Sequence, residues 1–118
     1  MFEVAKCFPD IQFEFIGKPA PEVLELYRPE NCVLLGPKAY DEVVSALDNS
    51  DLFLFPSHSE GFSMALAEAM ARGLPSVATD VGANLDMLEN KGGLVVEKGD
   101  VDAMTSSMKE LLDPLKLF

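Results

Sequence analysis

Two acids separated by a short run of small and apolar residues are the part of this sequence best equipped for chemistry. Glu60 opens the run Glu60-Gly61-Phe62-Ser63, and Glu68 lies in the stretch that follows, Met64-Ala65-Leu66-Ala67-Glu68-Ala69-Met70-Ala71. The first run joins the end of an apolar, strand-like segment to the start of a helical one. A helix N-terminus leaves about four amides without partners inside the helix, and the aligned peptide dipoles make that end positive. Such an end is a ready site for a phosphate group. Gly61 permits close approach of a ligand to the backbone. Ser63 is suited to cap the helix or to offer a hydroxyl.

The following helix is apolar and small nearly all round, a composition that predicts burial on most faces. A carboxylate there is costly unless a partner or a ligand accepts it. Aimed into a cleft, Glu68 would accept hydrogen bonds from a ribose diol. Glu68 and Arg72 are also four residues apart, in the favourable orientation for an ion pair along one helix. The pattern alone does not choose between these roles.

The elements that must position these residues can be read from hydrophobic spacing. Short apolar runs bounded by turn residues occur at Ile11 to Ile16, Cys32 to Leu35, Leu52 to Phe55, Ser76 to Thr79 and Gly93 to Val96. They suit buried parallel strands. Helical patterns lie between them. Tyr40 to Leu47 sets Val43, Val44 and Leu47 on one face, with Asp41 and Glu42 in its first turn. Ser63 to Arg72 is followed by Gly73, a good C-terminal stop. Asn84 to Glu89 should turn Leu85 and Leu88 inward, and Val101 to Leu112 carries Met104, Met108, Leu111 and Leu112 at helical spacing. The alternation predicts an α/β fold, a Rossmann-like, doubly wound parallel sheet with helices on both faces. The chain opens in a helical pattern, Phe2 to Phe8, where such a unit normally opens in a strand. The expectation is therefore a single domain over residues 1–118, cut from a longer protein and lacking its first strand.

Bulk properties narrow the function classes. The chain has 118 residues, 48% hydrophobic, enough for one core. Its formal net charge of −11 repels phosphate backbones at long range, so no nucleic-acid partner is expected and no membrane contact by this segment. The longest apolar run falls far short of the ~20 residues of a membrane span, and the N-terminus lacks the regions of a signal peptide. The two cysteines, Cys7 and Cys32, sit in no metal or redox spacing, and His58 is the one histidine. These features predict a reduced, cytoplasmic compartment and no metal or other cofactor.

Glu60 and Glu68 enclose seven residues, and Pro56 to Thr79 (PSHSEGFSMALAEAMARGLPSVAT) closely resembles the E-x7-E region of retaining GT-B glycosyltransferases. The resemblance continues through Asp80-Val81-Gly82-Ala83 and Gly93-Leu94-Val95-Val96, and it takes in Gly36. It implies the C-terminal, donor-binding domain of a two-domain enzyme. By the same resemblance Glu60 acts at the reaction centre, approaching hydroxyls of the donor sugar. Gly61, Phe62 and Ser63 meet the sugar and diphosphate through backbone amides, and Glu68 binds the ribose hydroxyls. The implied partners are a nucleotide diphosphate sugar donor and a sugar or glycolipid acceptor, the acceptor held by an N-terminal domain outside this sequence. Two departures stand out. The family's Arg and Lys after its first strand would lie before Met1, and Lys18 and Lys38 do not replace them by position. The usual Gly-Gly-Ile-Pro-Glu pattern reads Gly82-Ala83-Asn84-Leu85-Asp86, without the proline.

Neighbouring residues read mostly as structural. His58 is expected to be solvated, Tyr40 to pack at a helix start, and Asp51 to be structural. Asp80 is expected in helix entry or solvated loop, and the methionines as core filler. A receiver-type signalling domain would need an aspartate ending the third strand, and the strand exits here, Gly17, Gly36, Pro56 and Asp80, do not fit. A non-catalytic partner that keeps the fold without the activity is the alternative to an enzyme.

Overall fold

The computed structural model describes residues 1–19, 21–56, 64–89 and 93–112. They form α1 (Phe2–Lys6), β1 (Phe13–Ile16), α2 (Pro21–Leu24), β2 (Cys32–Gly36), α3 (Tyr40–Asp48), β3 (Phe53–Phe55), α4 (Met64–Ala71), β4 (Ser76–Thr79), α5 (Asn84–Leu88), β5 (Gly93–Val96) and α6 (Val101–Leu112). Each apolar run read as a strand is one, to within two residues at either end. The unforeseen element is α2, a single turn with no buried residue, which left no apolar periodicity to read. The chain divides into two compact units, Met1–Ser45 and Ala46–Phe118.

In the first unit β1 and β2 pair in parallel from Phe13 opposite Cys32 to Ile16 opposite Gly36, with a register shift between Phe15 and Ile16. Val4 and Ala5 of α1 are buried, as are Phe13 and Cys32. Aromatic rings tie the opening helix to β1: Phe2 meets Phe15 edge-on at 5.5 Å, and Phe8 lies 6.4 Å from Phe13. Asn31 closes the loop between them. Its Nδ2 donates to the carbonyls of Ala5, Phe8 and Ile11 at 3.0, 2.9 and 2.9 Å. Its own carbonyl accepts from the Phe13 amide at 2.7 Å.

In the second unit β4 is central, paired in parallel with β3 on one side and β5 on the other. Successive strand side chains point to opposite faces. Ser76, Val77, Ala78 and Thr79 are all buried, so both faces of β4 are covered. Helix α4 packs on β3 and β4, while α5 and α6 pack on β4 and β5. Leu66, Ala78 and Leu88 centre this core, with Phe53, Phe55, Met70, Met87 and Val95 around them. Each fully buried leucine contributes roughly 1.5 to 3 kcal/mol relative to exposure.

Two glycines fix this geometry. Gly73 has φ +73°, and the amides of Gly73 and Leu74 donate to Met70 O and Ala69 O. That pair of bonds is the Schellman ending that stops α4 where the sequence predicts. Gly93 begins β5 opposite Ser76. A Cβ there would lie 2.6 Å from Leu88 Cδ2 and 2.7 Å from the Ser76 carbonyl.

Three expectations of burial need correction. Helix α4 is not covered on most faces: Leu66 and Ala69 are buried, but Met64, Ala65 and Ala71 are exposed. A helix lying on one sheet face buries a stripe, whatever the composition of its other faces. Leu85 is exposed, and the inward stripe of α5 runs through Asn84 and Leu88, one helical turn apart. Tyr40 is exposed rather than packed.

Candidate functional site

The carboxyl edge of the three-stranded sheet is where an open parallel sheet collects ligands. Phe55 ends β3, and the chain passes through exposed Pro56 toward the residues singled out in the sequence. Glu60, Gly61, Phe62 and Ser63 lie outside the described residues, as does His58. On the far side of that run α4 begins at Met64 and carries Glu68 in its second turn.

Glu68 is half-buried and engaged. Its Oε2 accepts from Arg72 Nη1 at 2.8 Å, one turn further along the same helix. Arg72 Nε lies 3.1 Å from Asp48 Oδ1 at the end of α3, an ionic contact without hydrogen-bond alignment. Both the Glu68 and Arg72 side chains are about one-quarter exposed, at 26% and 25%. The ion pair that the spacing allowed is therefore formed. It does not exhaust Glu68, because a carboxylate offers about four lone-pair positions. It restricts the rotamer of the acid before any ligand arrives.

Around the exit of β4 the structure brings together residues that the sequence did not single out. Thr79 ends the strand, and its Oγ1 donates to the Phe55 carbonyl at 3.4 Å. Asn84 is fully buried and donates through Nδ2 to the Thr79 carbonyl at 2.9 Å. Among the described residues its Oδ1 has no hydrogen-bond partner. The readable signal was a polar residue one turn before Leu88 in an otherwise apolar stripe. Asp80 is exposed beyond this strand end, and its amide donates to the Val96 carbonyl at 2.8 Å. Gly82 takes φ +54° in the turn before α5.

Lys38 reaches Glu42 at 3.9 Å, and Asp51 is exposed. Glu22, Glu25, Glu97, Asp100 and Asp102 are exposed, and Asp100 caps α6 by accepting from Ala103 N at 2.9 Å. Among the described residues no three His, Cys, Asp or Glu side chains group as metal ligands, and no helix is long and apolar enough to cross a membrane.

The sequence as a whole matches a known family. Residues 2–114 match the family model described as glycosyl transferases group 1. The chain belongs to that family.

Its group 1 relatives are considerably longer proteins. Sulfoquinovosyl transferase SQD2 of Arabidopsis thaliana is 34% identical over 110 residues, which is 88% of this chain and 22% of that protein. The capsular polysaccharide biosynthesis glycosyltransferase CapM of Staphylococcus aureus is 33% identical over 78% of this chain and 24% of its own length. A GDP-mannose-dependent monoacylated alpha-(1-6)-phosphatidylinositol monomannoside mannosyltransferase of Corynebacterium glutamicum is 30% identical over 96% of the chain and 32% of its own. Thus this group 1 chain spans about a quarter to a third of the relatives it matches. Among solved structures, sucrose-phosphate synthase from Thermosynechococcus elongatus superimposes with a TM-score of 0.82 at 22% identity, over 98% of this chain and 33% of that one. The α/β, Rossmann-like class expected from the alternating strands and helices is the class found.

Proposed function

We propose that this chain is the donor-binding half of an enzyme that transfers a hexose from a nucleotide diphosphate sugar to an acceptor, with retention of anomeric configuration. The bond from the anomeric carbon to the diphosphate breaks, and one to the acceptor oxygen forms. In this reading the amides of Gly61, Phe62 and Ser63, at the start of α4, meet the sugar and diphosphate. They stabilise the charge that grows on the leaving group, an electrostatic role that calls for no cofactor. Glu60 accepts from the sugar hydroxyls and orients the ring. Glu68 accepts from the ribose hydroxyls. The acceptor, a sugar or glycolipid, is held by a domain outside residues 1–118, and residues 1–118 alone transfer no sugar. Two free thiols, Cys7 and Cys32, fit a cytoplasmic setting.

One observation carries this reading. Glu68 sits in the helix that follows the β3 exit, withdrawn from bulk solvent and braced by Arg72. The sugar-transferring relatives support it. The test is to add UDP or GDP to isotope-labelled chain and map amide shifts by NMR. The expected perturbations fall on residues 55–64 and on the Glu68 turn. Shifts that leave both unmoved would contradict the reading.

A further inference from the structure

We infer that Thr79 and Asn84 are positioning residues of the donor site, holding the exit of β3 in place from the neighbouring strand. This deepens the donor reading above and rests on it. Two hydrogen bonds run in series across the carboxyl edge of the sheet. Asn84 Nδ2 donates to the Thr79 carbonyl at 2.9 Å, and Thr79 Oγ1 donates to the Phe55 carbonyl at 3.4 Å. Phe55 is the last residue of β3, and from it the chain leads to Glu60 and Ser63. The next residue is Pro56, which has no N–H to extend the ladder. The Thr79 hydroxyl on β4 approaches the last carbonyl before it, that of Phe55.

Apolar packing does not account for an amide at this position. Asn84 is 0% exposed, and among the described residues its Oδ1 meets no donor. A buried, unmatched amide oxygen works against stability. It occupies the inward stripe one turn before Leu88. The Thr79 bond is long, so losing it takes little from the fold. What the pair does is fix two strand exits relative to one another at the edge where ligands collect.

The test uses Thr79→Val, which keeps shape and drops the hydroxyl, and Thr79→Ser, which keeps the hydroxyl. Thr79→Val is expected to retain the thermal midpoint while amide exchange over residues 53–64 speeds up about threefold or more. UDP or GDP should bind about two- to threefold more weakly to it. Thr79→Ser should restore both. Asn84→Leu, which leaves the Thr79 carbonyl with the Val81 amide alone, should give the same two changes and decides the matter if Thr79→Val does not fold. Unchanged exchange and affinity in the folded variants would overturn the inference. A wild-type chain that binds neither nucleotide would defeat the donor reading instead, and exchange alone would then decide whether Thr79 holds the β3 exit.

Discussion

Glu68 and Arg72 meet at 2.8 Å along one face of α4, and Arg72 reaches back to Asp48 at 3.1 Å. One guanidinium thus serves two acids from different helices. Exposed ion pairs contribute little, but Arg72 is three-quarters buried, and removing it leaves two carboxylates facing one another's field. Arg72→Gln should lower stability by about 1 to 2 kcal/mol in a denaturant titration. It should also weaken nucleotide binding less than Glu68→Ala does, because Glu68 remains.

Asn31 is the corresponding staple of the first unit. Its Nδ2 shares two hydrogens among three carbonyls that close the α1-to-β1 loop. Asn31→Ala should cost about 1 to 2 kcal/mol, measured as a fall in the denaturation midpoint. Asn31→Asp should cost more, since a carboxylate would face three carbonyl oxygens with no proton to share.

Gly93→Ala tests the packing at the start of β5. The added methyl would meet Leu88 Cδ2 at 2.6 Å and the Ser76 carbonyl at 2.7 Å. The leucine can shift, but the carbonyl belongs to the central strand. The expected loss is about 2 to 3 kcal/mol by thermal or chemical unfolding. Gly99→Ala makes a useful contrast: its Cβ meets nothing within 4 Å, so its penalty comes only from φ +80°.

Burial raises the Cys32 thiol above its ordinary value of 9.0, opposed by the positive N-terminus and Arg28. The folded state therefore holds this proton more tightly than the unfolded chain does. The resulting stabilisation is fully present below the unfolded value and is lost as pH rises through the folded one. Wild type should lose stability relative to Cys32→Ala above about pH 9. Unfolding curves of the two proteins between neutral and alkaline pH check this.

The sequence was legible wherever one side-chain pattern dictated one outcome. Bare apolar runs bounded by Gly17, Gly36, Pro56 and Asp80 became the parallel strands, and Gly73 ended α4 through its left-handed backbone. The Glu68–Arg72 spacing announced its ion pair but not the third member, because Asp48 lies in a different helix and only the fold brings it near. The inward face of α5 was misread for a related reason. Hydrophobicity favoured Leu85, yet the Asn84 bond to the Thr79 carbonyl turns Asn84 and Leu88 to the core and Leu85 outward. In a helix of five residues one tertiary bond outweighs periodicity. The links from Asn84 to Thr79 and from Thr79 to Phe55 likewise join residues set together only by strand order.

The central claim is that Glu68 grips the ribose of a nucleotide diphosphate. Calorimetric titration of UDP, or GDP, and its 2′-deoxy analogue into wild type and Glu68→Ala measures that contact alone. A hydrogen bond to a charged group contributes about 1.5 to 3 kcal/mol, or roughly 10- to 100-fold in Kd. Wild type should therefore prefer the ribonucleotide by about tenfold or more, and Glu68→Ala should bind both nucleotides equally and weakly. An undiminished preference for the ribonucleotide in Glu68→Ala would contradict the claim.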